Sequence, residues 1–246
     1  MMLQTASYLE TADVDLSSDE YARWFSGQVG AWFLEVRAAA TLEMLAPYPG
    51  ATILDVGGGH GQLTDALVRS GYDVSVVGSD EACKARIQRY VDLGRCTFEV
   101  ADLLNLPYPD RSFGVVISYR LLPHTTHWER LLAEMTRVAD RAVIIDYPEQ
   151  GSLKQLVRDF LKIKEQADVP NRPFIRFKRS QLTPVFKQNQ FMYGAHHAEF
   201  FFPMLLHRRL QSRALSSGLE RAARSLRLTE ALGSPVILKM IRQPGS

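Results

Sequence analysis

The chain has 246 residues, 46% of them hydrophobic, and a formal net charge of +2, which is enough apolar material for one sizeable core and excludes a disordered chain. It contains no apolar run of about eighteen residues, and its N-terminus is acidic and polar around Asp13, Asp15, Asp19 and Glu20, so neither a membrane span nor a signal peptide is indicated and a cytoplasmic location is expected. Cys83 and Cys96 are the only cysteines and lack metal-type spacing; they read as two thiols in a reducing compartment, with no metal site.

Residues 1–17 read as a polar, mobile leader and residues 18–246 as a single domain. Helical spacing begins at Ser18, with Ser17 or Ser18 as N-cap and Tyr21, Trp24, Phe25, Val29, Trp32 and Phe33 recurring along it. A second helix is expected over 35–45, so that 18–46 forms a helical cap. Pro47-Tyr48-Pro49-Gly50 ends it and leads into Ile53-Leu54-Asp55-Val56-Gly57-Gly58-Gly59-His60-Gly61-Gln62-Leu63-Thr64. There an apolar, β-prone run ends in a carboxylate and alternate glycines before the pattern turns helical at Leu63, Ala66 and Leu67. Such glycines let the backbone turn sharply and approach a ligand, while the next helix points unpaired N–H groups into the gap. A dinucleotide fingerprint needs a third glycine three residues after the second, where Gln62 or Thr64 stands, so NAD is not expected. A glycine-rich turn with no ligand is the bland alternative.

Asp73 to Gly78 forms a second strand ending in Ser79-Asp80-Glu81, about twenty residues past the glycines, where a nucleotide fold places an acid for ribose hydroxyls. A third strand, Phe98 to Asp102, is followed by Leu103-Leu104-Asn105-Leu106-Pro107-Tyr108-Pro109-Asp110-Arg111-Ser112-Phe113, and a fourth is Val115 to Ser118. Helices are expected over 62–70, 82–90 and 128–138, and a fifth, almost wholly apolar strand over Ala142–Tyr147. Strands alternating with helices imply a parallel, doubly wound α/β sheet. Beyond Glu149 come a helix over 153–166, a break at 169–173, the basic and aromatic run Phe174 to Arg179, a helix over 180–189, a strand over 191–202, helices over 203–215 and 219–231, and a strand over 235–242.

The glycine stretch and the phrase from Ala101-Asp102 to Val115-Val116 together resemble class I S-adenosylmethionine-dependent methyltransferases, in particular the type 11 branch that includes quinone and sterol methylating enzymes. The likeness covers residues 20–148. It implies a Rossmann-like, seven-stranded, mostly parallel sheet with an antiparallel last strand, the final hairpin made of Tyr193–Phe202 and Val236–Ile241. Asp55 would orient the glycine loop, and Gly57 and Gly59 would pass beneath the methionine moiety. Asp80, with Glu81 beside it, would accept the ribose hydroxyls. Asp102 would bind the adenine amino group with Leu103 against the ring, and Tyr119 completes the cofactor set. The branch folds an N-terminal helical segment over the cofactor, and Tyr21, Trp24 and Phe25 look like such a segment; rings near a sulfonium are physically sensible, as is ordinary helix packing. Gly114 departs from the family, which usually has an acid there.

Methyl transfer from a sulfonium needs chiefly alignment and exclusion of water, and a general base only where the acceptor loses a proton. Candidates lie at the carboxyl ends of strands four and five. His124 is a base or substrate contact, or a structural histidine of its loop; Asp146 is a base or amine ligand, or a cap. Tyr147, Arg176 and His197 are substrate-side candidates. His196 and His197 point to opposite faces and cannot share a metal. His207 flanks an apolar channel or simply starts a buried helix. The insert at 151–190 is expected to be a substrate lid, with Arg172, Arg176 or Lys178 reading an anionic group.

Charge is lopsided: residues 1–150 hold 12 Lys+Arg against 21 Asp+Glu, net −9, and residues 151–246 hold 17 against 6, net +11. The basic part could meet an anionic partner or a membrane surface as a peripheral protein, or dock on the acidic half. No Asn/Asp-Pro-Pro-Tyr signature follows strand four, where Ser118-Tyr119-Arg120-Leu121 stands, which argues against nucleobase methylation; stable nucleic-acid binding is not expected, although the run 172–179 keeps an RNA substrate in view. The expected function is methyl transfer to a small or medium-sized, partly apolar acceptor, with O-, N- and C-methylation open. A non-catalytic cofactor-binding sensor or accessory subunit and an RNA-directed enzyme are the alternatives.

Overall fold

Alternation along the central strands sets the architecture of the structure, a computed structural model that describes residues 8–160 and 172–245. In β1 (Thr52–Val56) Ile53 packs into one apolar layer and Leu54 and Val56 into the other. In β4 (Phe113–Ser118) and β5 (Ala139–Tyr147), Val115, Ile117, Ala142 and Ile144 join the first layer and Val116, Val143 and Ile145 the second. Successive strand residues face opposite ways, so strands apolar at every position need cover on both sides.

With β2 (Asp73–Gly78), β3 (Cys96–Val100), β6 (Phe191–Ala198) and β7 (Val236–Arg242) these strands form one sheet in the order β3-β2-β1-β4-β5-β7-β6. The first five are parallel, and β7 lies antiparallel between β5 and β6. This is the seven-stranded sheet with an antiparallel last strand that the resemblance implies.

One face is covered by α3 (Gly27–Leu45) and α4 (Thr64–Arg69), through Ala40, Met44, Leu45, Leu63 and Leu67, and by α5 (Gln88–Asp92) through the partly buried Tyr90 and Val91. The other is covered by α6 (Trp128–Val138) and α8 (Arg179–Gln188), with α1 (Ala12–Leu16) and α2 (Asp19–Ala22) at its edge. In α6 the apolar residues Leu131, Leu132, Met135 and Val138 recur at helical spacing and are buried, which is why both its ends were legible. The remaining helices are α7 (Leu153–Phe160), α9 (Met204–Leu210), α10 (Arg213–Ser225) and α11 (Leu228–Leu232).

Several expectations need correction. The expected mobile leader contains α1, whose Ala12, Asp13 and Leu16 are fully buried, because the segment lies over the carboxyl ends of β1 and β2 instead of in solvent; residues 1–7 fall outside the described residues. The first cap helix is short: Ser18 does cap it, accepting from Tyr21 N at 3.1 Å, but the chain leaves helical geometry at Ser26 before α3 begins. β3 runs two residues earlier than expected, and β6 ends at Ala198. The helices expected over 203–215 and 219–231 break instead at Gln211 and Arg227, both left-handed (φ 49° and 59°) without a glycine to signal it. The expected helix over 153–166 is seen to Phe160; positions 161–171, with most of the expected break, lie outside the described residues.

Candidate active site

The glycine stretch folds as a tight 3-10 turn, Gly58–His60, between two left-handed glycines, Gly57 (φ 72°) and Gly61 (φ 69°). Both conformations favour residues without a Cβ. The loop closes on itself through His60: Gln62 N donates to its Nδ1 and its Nε2 donates to the carbonyl of Tyr119, each at 3.2 Å. Burial pushes this imidazole down to about 3, with the bond to Tyr119 opposing, so it is neutral and locked in one tautomer. Beneath the loop lies Asp55, fully buried, with neither carboxylate oxygen meeting a donor among the described residues. A Cβ on Gly58 would fall 2.1 Å from that carboxylate. Desolvation pushes Asp55 up to about 7. A buried, unpartnered carboxylate under a loop of bare backbone suits a cationic or N–H-donating ligand.

At the ends of the neighbouring strands two more acids turn their own loops. Asp80 Oδ1 accepts from Ala82 N at 2.8 Å, and Asp102 Oδ1 from Leu104 N at 2.9 Å. Between them and the glycines sits α1. Its Asp13 carboxylate accepts from Ser79 N (2.7 Å) and Ser79 Oγ (2.5 Å), with Cys83 Sγ at 3.3 Å.

On the β4–β5 side, Arg37 of α3 is buried and donates to Glu199 from Nε (2.9 Å) and Nη2 (3.0 Å), and from Nη1 to Gln62. Asp146 stands 3.8 Å from Arg37 Nη2 and accepts the backbone N–H of Arg120 at 2.5 Å. Arg120 is left-handed (φ 65°), and its Nε donates to the Tyr21 hydroxyl at 2.6 Å. A cavity of about 180 Å³ lined by Tyr21, Phe25, His60, Gly61, Gln62 and Arg86 opens on this side of the loop.

Residues 53–141 match the family model described as "Methyltransferase domain". The chain is 34% identical over 128 residues to the demethylmenaquinone methyltransferase of Deinococcus radiodurans, covering 47% of this chain and 51% of that one. To an O-methyltransferase of Pyrenophora dematioidea it is 31% identical, over 39% of this chain and 38% of the other. The structure of magnesium protoporphyrin IX methyltransferase from Synechocystis, with bound S-adenosylhomocysteine, superposes with a TM-score of 0.67 at 15% identity, covering 94% of this chain and 98% of that one, a likeness of fold. Over residues 53–141 the chain is similar to methyltransferase domains, and its fold is that of a class I S-adenosylmethionine-dependent methyltransferase. It spans about half the length, or less, of these curated relatives.

The residues present fit the methyltransferase cofactor: Asp55 is an unsatisfied anion, Gly57 to Gly59 offer bare backbone, and Asp80 and Asp102 end the next two strands. Leu103 is buried in the core beside Asp102. Glu81 is exposed and pairs with Lys84. Tyr119 turns its side chain away from the loop, its hydroxyl 2.7 Å from Thr41 Oγ1, leaving only its carbonyl on the site side. Trp24 is 39% exposed with Arg208 stacked on it at 5.0 Å, whereas Tyr21 and Phe25 do line the small cavity. Gly114, the family departure, is the second residue of β4, at the end away from the site.

The structure gives structural partners to both catalytic candidates, His124 and Asp146. His124 is buried, and its Nδ1 donates to the Pro173 carbonyl at 2.9 Å while its ring meets Phe174; Asp146 is enclosed by Arg37 and the Arg120 amide. Tyr147 is buried, and burial followed by Glu149 pushes its hydroxyl pKa up. Arg176 lies over Phe174 at 5.1 Å. His197 lines a separate cavity of about 400 Å³ between α3, β6 and α10, and His207 is buried against Glu220 at 2.9 Å. Sequence reasoning missed Asp13, Arg37, His60, Gln62, Arg120 and Glu199. Arg37 left a signal, a charge inside the stripe Phe33, Thr41 and Met44 that α3 buries.

Proposed function

We propose that this chain transfers a methyl group from S-adenosylmethionine to a small or medium-sized, partly apolar acceptor. Asp55 carries the reading: a buried, unpartnered carboxylate beneath left-handed glycines, flanked by Asp80 and Asp102. When bound, the cofactor supplies an electrophilic methyl group on a sulfonium leaving group. The chain's own task is alignment and exclusion of water. Asp55 and the glycine loop would hold the amino-acid end, Asp80 the ribose and Asp102 the base, while Tyr21, Phe25 and Arg120 wall the acceptor side. His124 and Asp146 are tied to Pro173 and to Arg37 and Arg120, which favours acceptors that are already nucleophilic, such as an activated ring carbon or an acidic hydroxyl. The relatives divide in the same way, between a menaquinone-type enzyme and O-methyltransferases.

The described residues 172–179 of the expected insert would border the substrate: Ile175 N donates to the Pro123 carbonyl at 2.7 Å, and Pro173 accepts from His124. The basic half would serve internal docking, because Arg172 pairs with Asp15 and Arg213 with Glu35 across the two halves. An RNA platform over 172–179 would need exposed rings, whereas Phe177 is buried against Trp128 and Phe174 lies on His124.

Calorimetric titration tests the reading. S-adenosylmethionine and S-adenosylhomocysteine should bind at micromolar affinity with silence from NAD, and Asp80→Ala should abolish the signal. Retained affinity in Asp80→Ala would sink the placement of the site, and binding of neither ligand would sink the activity. Conversion of S-adenosylmethionine to S-adenosylhomocysteine with methylation of any acceptor excludes the non-catalytic alternative.

A further inference from the structure

Segment 10–18 lies in the place that the cofactor reading assigns to the nucleoside. The Asp13 carboxylate is hydrogen-bonded to Ser79, one residue before the ribose acid Asp80. A Cβ built on Gly57 would be 3.4 Å from Asp13 Cβ, and one built on Gly59 would be 2.8 Å from Ser17 Oγ. Helix α1 and its C-cap therefore lie close over the loop, with less than a ring's thickness between them. A ring slipped between two surfaces needs two contact distances, roughly 7 Å, so α1 and a bound nucleoside exclude each other. Ala12 and Leu16 are fully buried in the same apolar cluster as Leu103, the side chain expected against the adenine ring.

We propose that α1 is a displaceable internal competitor of the cofactor, which must swing off the glycine loop before the nucleoside can bind. The proposal rests on the S-adenosylmethionine reading of the site and adds its regulation.

Two polar latches hold the segment. Glu10 Oε1 accepts from both His127 N and His127 Nδ1 at 2.9 Å. Arg172 donates to Asp15 Oδ2 (2.9 Å) and to Thr11 O (3.1 Å) and Oγ1 (3.0 Å). One latch comes from the start of α6 and the other from the substrate-side insert, so whatever draws Arg172 away also loosens α1. The helix has five residues and no side-chain bond at its N-cap, so it owes its existence to these contacts and not to helix propensity. Asp13 itself sits against a cost: burial raises its carboxyl, and the Ser79 bonds only partly offset that. A short helix with a desolvated charge, held by latches at its ends, can leave as a unit. Cofactor affinity is then reduced by the fraction of molecules that have α1 in place.

The test is S-adenosylhomocysteine titration of the full chain, of Asp13→Ala and of the latch variant Glu10→Ala/Asp15→Ala, which leaves Asp13 untouched, combined with hydrogen exchange. Both variants should bind at least five-fold more tightly than the parent. In the parent, adding S-adenosylhomocysteine should speed exchange of the amides of 12–17 while slowing that of 57–61. Should Asp13→Ala not fold, the latch variant and the exchange pattern decide alone. Equal affinities, with 12–17 protected by the ligand, would mean that α1 covers a bound cofactor, overturning the competitor while leaving the cofactor reading intact. If no folded protein in the set binds S-adenosylhomocysteine, both readings fall.

Discussion

Burial alone pushes the Asp55 carboxyl up to about 7 from an ordinary 3.8, because neither oxygen meets a donor among the described residues. The unfolded chain holds this proton only below about pH 4 and the folded chain up to about pH 7. Folding therefore takes up a proton inside that window, and stability falls as pH rises through it. At 1.36 kcal/mol per unit the full penalty above pH 7 is about 4 kcal/mol as an upper bound. Asp55→Asn removes the charge and keeps the shape, so its stability relative to the parent should rise between pH 4 and 7 and level off above. Urea unfolding at pH 4.5 and pH 8 measures this; the same difference at both values would refute it. On the proposed cofactor reading, S-adenosylhomocysteine binding should weaken in that variant, since the unpartnered carboxylate is what the ligand would satisfy.

Among elements, α3 joins both parts of the site to the C-terminal strands. Its Arg37 is enclosed between Glu199 and Asp146, with Gln62 on a further nitrogen. Burial pushes Glu199 up while Arg37 pulls it down, and the two acids keep the guanidinium charged despite its own burial. Arg37→Leu should cost about 3–5 kcal/mol, because it strands a buried carboxylate, and Arg37→Leu/Glu199→Leu should recover part of that. Thermal unfolding of the single and double variants decides; a double variant no more stable than Arg37→Leu would show that packing, and not the pair, is at stake. The same contrast explains what was legible in the sequence. Local signals were enough for the glycine loop, β2 and α6, and Asp80 and Asp102 make their hydrogen bonds within their own loops. Arg37 meets Glu199 162 positions away and Asp13 meets Ser79 66 away, so no local pattern could reveal them. Helix α1 escaped notice for the same reason: five residues show no periodicity, and tertiary contacts make the helix.

At the scale of the molecule, the family match ends at residue 141, yet the sheet does not. β7, from the last part of the chain, pairs with β5 from Ala142↔Ile241 to Tyr147↔Val236 and is the strand that attaches β6. Without it β5 becomes an edge carrying Val143, Ile144 and Ile145, all fully buried in the intact sheet, and β6 loses the sheet altogether. An exposed, flat, apolar edge is a template for pairing with other chains. Asp146 lies on that same β5 in register with Ile237, and Glu199, which balances Arg37, follows β6, so the loss would reach the site as well as the edge. Deleting residues 234–246 should therefore send the protein into the insoluble fraction and remove S-adenosylhomocysteine binding from what stays soluble, even though β1 to β5 and the whole glycine loop remain in the chain. Solubility after expression and calorimetry of the soluble remainder check this. A soluble, cooperatively unfolding truncation that binds S-adenosylhomocysteine as the parent does would show that the five parallel strands sustain the site alone and that the antiparallel pair serves something else.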